Sequence, residues 1–207
     1  MTSRCCSVRS ARHLDPDTFI EAFLVSTGLV ALAEIGDKTQ LLSLVLAARL
    51  RRPVPIIAGI LVATLVNHAL AAFVGGWIAN AVGPTALRWI LGVSFIAMAG
   101  WILIPDKLDK DDAPTARANV FVTTLVAFFL AEMGDKTQVA TVALAARFPD
   151  IVTVVAGTTF GMMIANVPAV LLGDRLAGRL PVKLVHSVAA GIFAVLGVVV
   201  LVGMPGG

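Results

Sequence analysis

Long apolar runs separated by short polar segments form the main pattern along this chain. A helix needs about 20 apolar residues to cross the hydrocarbon core of a bilayer. Six runs reach about that length in the 207 residues. The pattern therefore predicts an all-α integral membrane protein with six transmembrane helices, at residues 18–48, 54–78, 86–104, 119–147, 151–172 and 183–202.

A shift of 98 residues aligns the second half of the chain with the first. Of the nine residues 32–40, eight are identical to their partners in 130–138. Each half has three predicted spans, an odd number, so the second half should enter the membrane from the opposite face. We therefore expect two inverted three-helix repeats with an ion site at the repeat interface, as in many secondary transporters. The predicted boundaries are a disordered N-terminal tail at 1–17, the first repeat at 18–104, a polar linker loop at 105–118 and the second repeat at 119–204.

Composition and charge agree with a membrane protein and indicate its orientation. The chain is 58% hydrophobic and only 14% charged, whereas soluble domains are about a quarter charged. The basic residues form no patch with aromatic side chains, so the net charge of +3 does not indicate nucleic-acid binding. Nine Lys and Arg residues fall on the side of the central loop and five on the other side. This imbalance predicts a cytoplasmic central loop and outward termini in a bacterial-type inner membrane.

A duplicated octapeptide places charged residues inside two of the apolar runs. It reads A-E-I-G-D-K-T-Q at 33–40 and A-E-M-G-D-K-T-Q at 131–138. Ionisable residues within a span nearly always face a cavity or a partner. Carboxylate, amide and hydroxyl oxygens suit Mn²⁺, Ca²⁺ and Mg²⁺ better than Zn²⁺ or copper. The predicted metal ligands are Glu34, Asp37, Gln40, Glu132, Asp135 and Gln138.

The two motif lysines, Lys38 and Lys136, are expected to balance charge or to couple protons. Lys38 follows Glu34 by four residues, which is the spacing of a same-face ion pair on a continuous helix. Four carboxylates against two lysines leave two negative charges, which one divalent cation or two protons would cancel. Carboxylates removed from water can exchange protons near neutral pH.

The sequence allows two alternative backbone conformations for each motif, because of Gly36 and Gly134. Each glycine either lets the motif helices approach closely or marks a local break that frees carbonyl oxygens as ligands. A continuous helix would place Gln40 on the face of Glu34 and point Thr39 away from it. A break would allow the threonine to turn inward.

Polar residues also occur inside spans away from the motifs. His68 in the second span aligns with Asn166 in the fifth under the 98-residue shift. Both could line the ion path or form an interhelical hydrogen bond. His186 lies near the end of a span and is expected to be solvated. The candidate residues for the ion path are Thr39, Thr137, His68 and Asn166.

The chain resembles the GDT family of membrane cation/proton exchangers, which carry two copies of E-x-G-D-[KR]-[ST]. Both copies are intact here, at 34–39 and 132–137, and the resemblance extends over residues 19–202. It implies exchange of Mn²⁺ and/or Ca²⁺ for H⁺, mainly as Mn²⁺ export in bacteria. It also implies that the ligands are Glu34, Asp37, Glu132 and Asp135. The cation and protons are then substrates, the lipid bilayer is the surrounding partner, no resident cofactor is expected, and a homodimer stays open.

Other function classes stay open from the sequence. A cation channel would need a continuous pore without proton coupling. Export of a small organic cation, such as an amino acid, would use the carboxylates to bind an ammonium group. A membrane-embedded hydrolase is disfavoured because no H-E-x-x-H or G-x-S-x-G pattern occurs, so the chain is not expected to be an enzyme.

Overall fold

The computed structural model describes residues 16–104, 119–172 and 182–203. The predicted linker and all but the last two residues of the predicted tail lie outside these ranges. The described part of the chain is helical and contains no strand. Its helices are α1 (Pro16–Glu34), α2 (Lys38–Leu50), α3 (Pro53–Ala81), α4 (Pro84–Ile102), α5 (Val120–Glu132), α6 (Lys136–Arg147), α7 (Ile151–Leu172) and α8 (Val182–Gly203).

Four of these helices, α3, α4, α7 and α8, are long and apolar enough to cross a membrane. The pair α1 and α2 adds a fifth candidate span, which is bent by 68° at its break. The structure thus supports a multi-pass membrane protein with four to five spans among the described residues, and the predicted count of six is not confirmed. The missing candidate is the segment of α5 and α6. At about 1.5 Å per residue, the 13 residues of α5 reach about 20 Å, short of the ~30 Å hydrocarbon core.

Both predicted motif spans break at their glycine. Gly36 has φ 84° and Gly134 has φ 79°, a left-handed conformation that glycine adopts without steric cost. The next residue, Asp37 or Asp135, is extended and forms the N-cap of the following helix. The continuous-helix alternative is therefore wrong for both motifs, and a break at each glycine is confirmed. The use of the freed carbonyl oxygens as ligands stays a prediction.

Helices from the two halves pack against each other rather than within separate units. Helix α1 packs along α7, α3 packs along α5, and α4 packs along α8. The 98-residue shift relates α1 to α5 and α3 to α7, so the first two contacts are equivalent. One close approach in each contact is also equivalent, because a Cβ built on Gly157 would lie 2.8 Å from the Phe23 carbonyl oxygen, and one on Gly59 would lie 2.9 Å from the Phe121 carbonyl oxygen. These glycines let the helices of opposite halves touch backbone to backbone.

Candidate metal-transport site

The glutamine of each motif forms a hydrogen bond across the break in the helix. Gln40 Oε1 accepts a hydrogen bond from the Gly36 N–H at 2.8 Å, and Gln138 Oε1 accepts one from the Gly134 N–H at 2.7 Å. Each glutamine is the third residue of its helix and reaches back to the N–H of the residue before the N-cap, one residue further than in a capping box. Because these amide oxygens already hold the backbone, a glutamine that coordinated a metal would have to give up this bond. The predicted ligand role of the glutamines stays a prediction.

The lysine of each motif pairs with the aspartate of the other motif. Lys38 Nζ lies 3.6 Å from Asp135 Oδ2, and Lys136 Nζ lies 3.5 Å from Asp37 Oδ1. The spacing of Lys38 and Glu34 would give a same-face ion pair only on a continuous helix. Because α1 ends at Glu34, the break turns Lys38 toward the second half, where it pairs with Asp135. The charge-balancing or proton-coupling role of the two lysines stays a prediction.

The motif glutamates are also held by side chains from the opposite half. His68 on α3 places Nε2 at 3.2 Å from Glu132 Oε1. Asn166 on α7 donates from Nδ2 to Glu34 Oε1 at 3.3 Å. The two residues that the 98-residue shift aligned therefore occupy equivalent places, each beside a motif glutamate. Their predicted place on an ion path stays a prediction.

One hydroxyl group contacts a motif glutamate, and another holds the asparagine beside the second glutamate. Thr137 Oγ1 donates to Glu132 Oε1 at 2.7 Å, a contact that the continuous-helix geometry did not allow. Ser43 Oγ donates to Asn166 Oδ1 at 2.6 Å and so orients the amide that faces Glu34. Sequence reasoning missed Ser43. Its signal was the hydroxyl at the matching position 141, which is Thr141.

The prediction for His186 is wrong. This residue is buried, with 7% of its surface exposed, and is not solvated as predicted. Its Nε2 lies 2.7 Å from the carbonyl oxygen of Ile35, inside the first motif break. The break exposes this carbonyl because no residue one turn ahead donates to it. The sequence around His186 gives no sign of this contact, because the contact depends on how α8 packs against the first motif.

These groups form one charged group, which we call the motif cluster. Its members are Glu34, Asp37, Lys38, Glu132, Asp135 and Lys136. The carboxylates of the two motifs lie near one another: Glu34 is near Glu132 and Asp135, and Asp135 is near Asp37. The four acidic residues are at most 3% exposed, whereas the Lys38 side chain is 28% exposed. Burial of so much charge is costly unless it is compensated.

The cluster is compensated by lysines and is not a ready-made metal site. Among the described residues, no group of three or more His, Cys, Asp or Glu side chains is arranged to hold a metal ion. Within the same ranges, the buried motif oxygens that make no hydrogen bond include Glu34 Oε2, Glu132 Oε2 and Thr39 Oγ1. Oxygen donors are therefore present at the cluster, while the two ammonium groups stand beside the aspartates.

A buried cluster of carboxylates that spans two repeats of an all-helical membrane protein is typical of cation transport proteins. The comparisons with known proteins agree with this class. The family described as "Divalent cation/proton antiporter GDT1" matches residues 22–110 and 120–206, once in each repeat. The chain belongs to this family.

Three relatives show how far the similarity extends. The chain is 54% identical over 173 residues to a Vibrio cholerae protein named "Putative manganese exporter", covering 83% of this chain and 86% of the relative. It is 30% identical over 200 residues to a GDT1-like protein of Synechocystis, covering 87% and 96%. It is 26% identical over 219 residues to GDT1-like protein 5 of Arabidopsis thaliana, covering 87% and 95%. No solved structure matches the chain.

Proposed function

We propose that this protein is a secondary active transporter that exports a divalent cation from the cytoplasm in exchange for protons. Mn²⁺ is the first candidate and Ca²⁺ the second. The observation that carries the proposal is the motif cluster, in which four buried carboxylates face only two lysines. The excess of two negative charges can be cancelled by one divalent cation or by two protons, which is the requirement for an exchanger.

The chemistry of the donors supports the choice of cargo. Glu34, Asp37, Glu132 and Asp135 offer carboxylate oxygens, and Thr39 offers a buried hydroxyl without a hydrogen bond among the described residues. Such hard oxygen donors favour Mn²⁺, Ca²⁺ and Mg²⁺. The order of Mn²⁺ before Ca²⁺ rests on the name of the Vibrio cholerae relative.

In the proposed cycle, the lysines act as internal counter-ions. In the described arrangement, Lys38 neutralises Asp135 and Lys136 neutralises Asp37. A divalent cation that enters the cluster would cancel the two remaining negative charges, while the lysines stay beside the aspartates. After release of the cation, two protons would neutralise the same two charges.

The proposed architecture is a pair of inverted three-helix repeats, in which each first span is broken at its motif. The equivalent contacts of α1 with α7 and of α3 with α5 support this arrangement. In this arrangement α5 and α6 together form the counterpart of the broken span α1–α2. The Lys and Arg count supports a cytoplasmic central loop and outward termini in a bacterial-type inner membrane.

A flux assay in liposomes tests the function. The purified protein is reconstituted with a pH dye and a metal dye inside, and Mn²⁺, Ca²⁺ or Mg²⁺ is added outside. We expect metal entry with internal alkalinisation, and neither signal for Glu34→Gln. The matched variant Glu21→Gln, at an exposed position of α1 away from the cluster, should transport normally. Metal flux without a pH change would indicate a channel. The absence of metal flux would favour an organic cation as the substrate.

A further inference from the structure

A second charged feature lies at the membrane edge of the fold. Arg51 and Arg52 form the whole connection between α2 and α3. Together with Pro53 they line a cleft of about 210 Å³, whose other walls are Ala47, Val170 and Leu171. Two arginines therefore line one cleft together with apolar residues. None of the carboxylates in the described ranges forms an ion pair with either arginine.

Arg51 has a backbone conformation that is unusual for a residue with a side chain. It ends α2 in the left-handed region, with φ 51° and ψ 29°, and its N–H donates to the Ala47 carbonyl at 3.0 Å. Glycine is the usual residue at this position of a helix C-terminus, because a side chain is strained there. Among the described residues, Arg51 is the only one other than glycine with a positive φ.

The equivalent connection in the second repeat carries the opposite charge. The 98-residue shift places Asp150 at the position of Arg52. Asp150 caps α7, because its Oδ1 accepts from the Val152 N–H at 3.1 Å. The repeat fold therefore does not require the arginine pair, which occurs only in the connection of the first repeat.

The position of the cleft fits the headgroup layer of a bilayer. The connection directly precedes the apolar helix α3, and the cleft also touches the last residues of the apolar helix α7. Val54 and Leu171 beside it expose 76% and 59% of their surfaces. Acyl chains can cover these side chains, and the arginine connection at the helix ends is then expected at the level of the lipid phosphates.

We propose that this cleft binds the phosphodiester headgroup of an anionic phospholipid. Arg51 and Arg52 would hold the phosphate by charge-assisted hydrogen bonds, and Leu171 would contact the acyl chains. Under the proposed orientation, the site faces the cytoplasmic leaflet. The proposal does not depend on which cation the protein transports.

Native mass spectrometry of the purified full chain tests the site. The protein in detergent is titrated with phosphatidylglycerol or with phosphatidylcholine, and the lipid-bound fraction is measured. We expect the wild type to prefer phosphatidylglycerol. The double variant Arg51→Gly/Arg52→Gln should weaken phosphatidylglycerol binding roughly tenfold, because two charge-assisted contacts are lost. Arg49→Gln removes an exposed charge from the same helix end outside the cleft and should bind like the wild type.

Two further measurements keep the result interpretable. Arg51→Gly relieves the left-handed strain, so this single variant should melt no lower than the wild type in lipid-free detergent and still bind less phosphatidylglycerol. A competition arm adds inorganic phosphate to the lipid-bound protein. Equal lipid binding by the double variant and the wild type would overturn the proposal. An equal loss in Arg49→Gln would also overturn it, as would full displacement of the lipid by inorganic phosphate.

Discussion

Individual side chains of the motif cluster take their partners from the opposite repeat. Lys38 pairs with Asp135, and Lys136 pairs with Asp37. His68 contacts Glu132, and Asn166 contacts Glu34. The two ion pairs are alike in length but differ in burial. Because the strength of an ion pair depends on its exposure to water, the two lysines should contribute unequally to stability.

Replacement of either lysine by methionine tests that difference. Lys136→Met leaves Asp37 without its cross-repeat lysine in the interior, and loss of one partner of a buried pair costs about 3–5 kcal/mol. Lys38→Met affects a side chain that is 28% exposed and should cost clearly less. Thermal unfolding in detergent gives the comparison. Adding Asp37→Asn to Lys136→Met should recover part of the lost stability, and equal melting temperatures for both single variants would contradict the assignment.

His68 can be exchanged for the residue at its equivalent position. Asn166 contacts Glu34 through an amide, so His68→Asn should still contact Glu132 and retain metal flux. His68→Leu removes the contact and should lower flux by roughly tenfold or more, the effect of losing a hydrogen bond to a charged group. Reconstituted flux measures both variants. If His68→Asn were as inactive as His68→Leu, the imidazole would have a role beyond holding the glutamate.

At the scale of the elements, the motif breaks decide where every charged side chain points. Helix α1 ends at Glu34 and α2 begins at Lys38, so two residues that are one turn apart in sequence face different partners. Gln40 and Gln138 then fasten the breaks to their own backbone. The breaks therefore depend on one positive φ and one side-chain hydrogen bond in each motif.

Substitution at Gly134 tests the break directly. A Cβ at this position would meet no atom within 4 Å, so its only cost is the positive φ. Gly134→Ala should destabilise the protein by about 1–2 kcal/mol, and Gly134→Asn by less, because asparagine tolerates the left-handed region. Gly100→Ala is the matched control, since Gly100 also has open space but lies within α4. Equal melting temperatures for Gly134→Ala and Gly100→Ala would argue against the break.

At the scale of the whole molecule, the repeat and the buried charged residues were easier to predict from the sequence than the contacts between the two halves. The 98-residue shift and the charged residues of the cluster could be read from the chain, because repeats and polar residues in apolar runs are local signals. The partners of Lys38 and His186 could not, because they depend on how α5–α8 pack against the first half. The conformation of Gly36 was left as two alternatives, since glycine permits both.

Labelling of introduced cysteines tests the proposed inversion of the repeats. Arg49 and Arg147 are equivalent under the 98-residue shift, and both are exposed. In a background of Cys5→Ser and Cys6→Ser, which removes both native cysteines, Arg147→Cys should react with an impermeant thiol reagent added outside cells. Arg49→Cys should react only in inside-out vesicles. Labelling of both from the same face would contradict inverted repeats, and exchanged faces would contradict only the orientation.

The exchange of partners between the motifs also bears on ancestry. Under the proposed arrangement, a chain with only one repeat would hold a glutamate and an aspartate whose partners it could not supply. Such an ancestor would have been complete only as two identical subunits inserted in opposite directions. Gene fusion would have removed the need for that dual insertion. It would also have let the two copies diverge, with a histidine beside one glutamate and an asparagine beside the other.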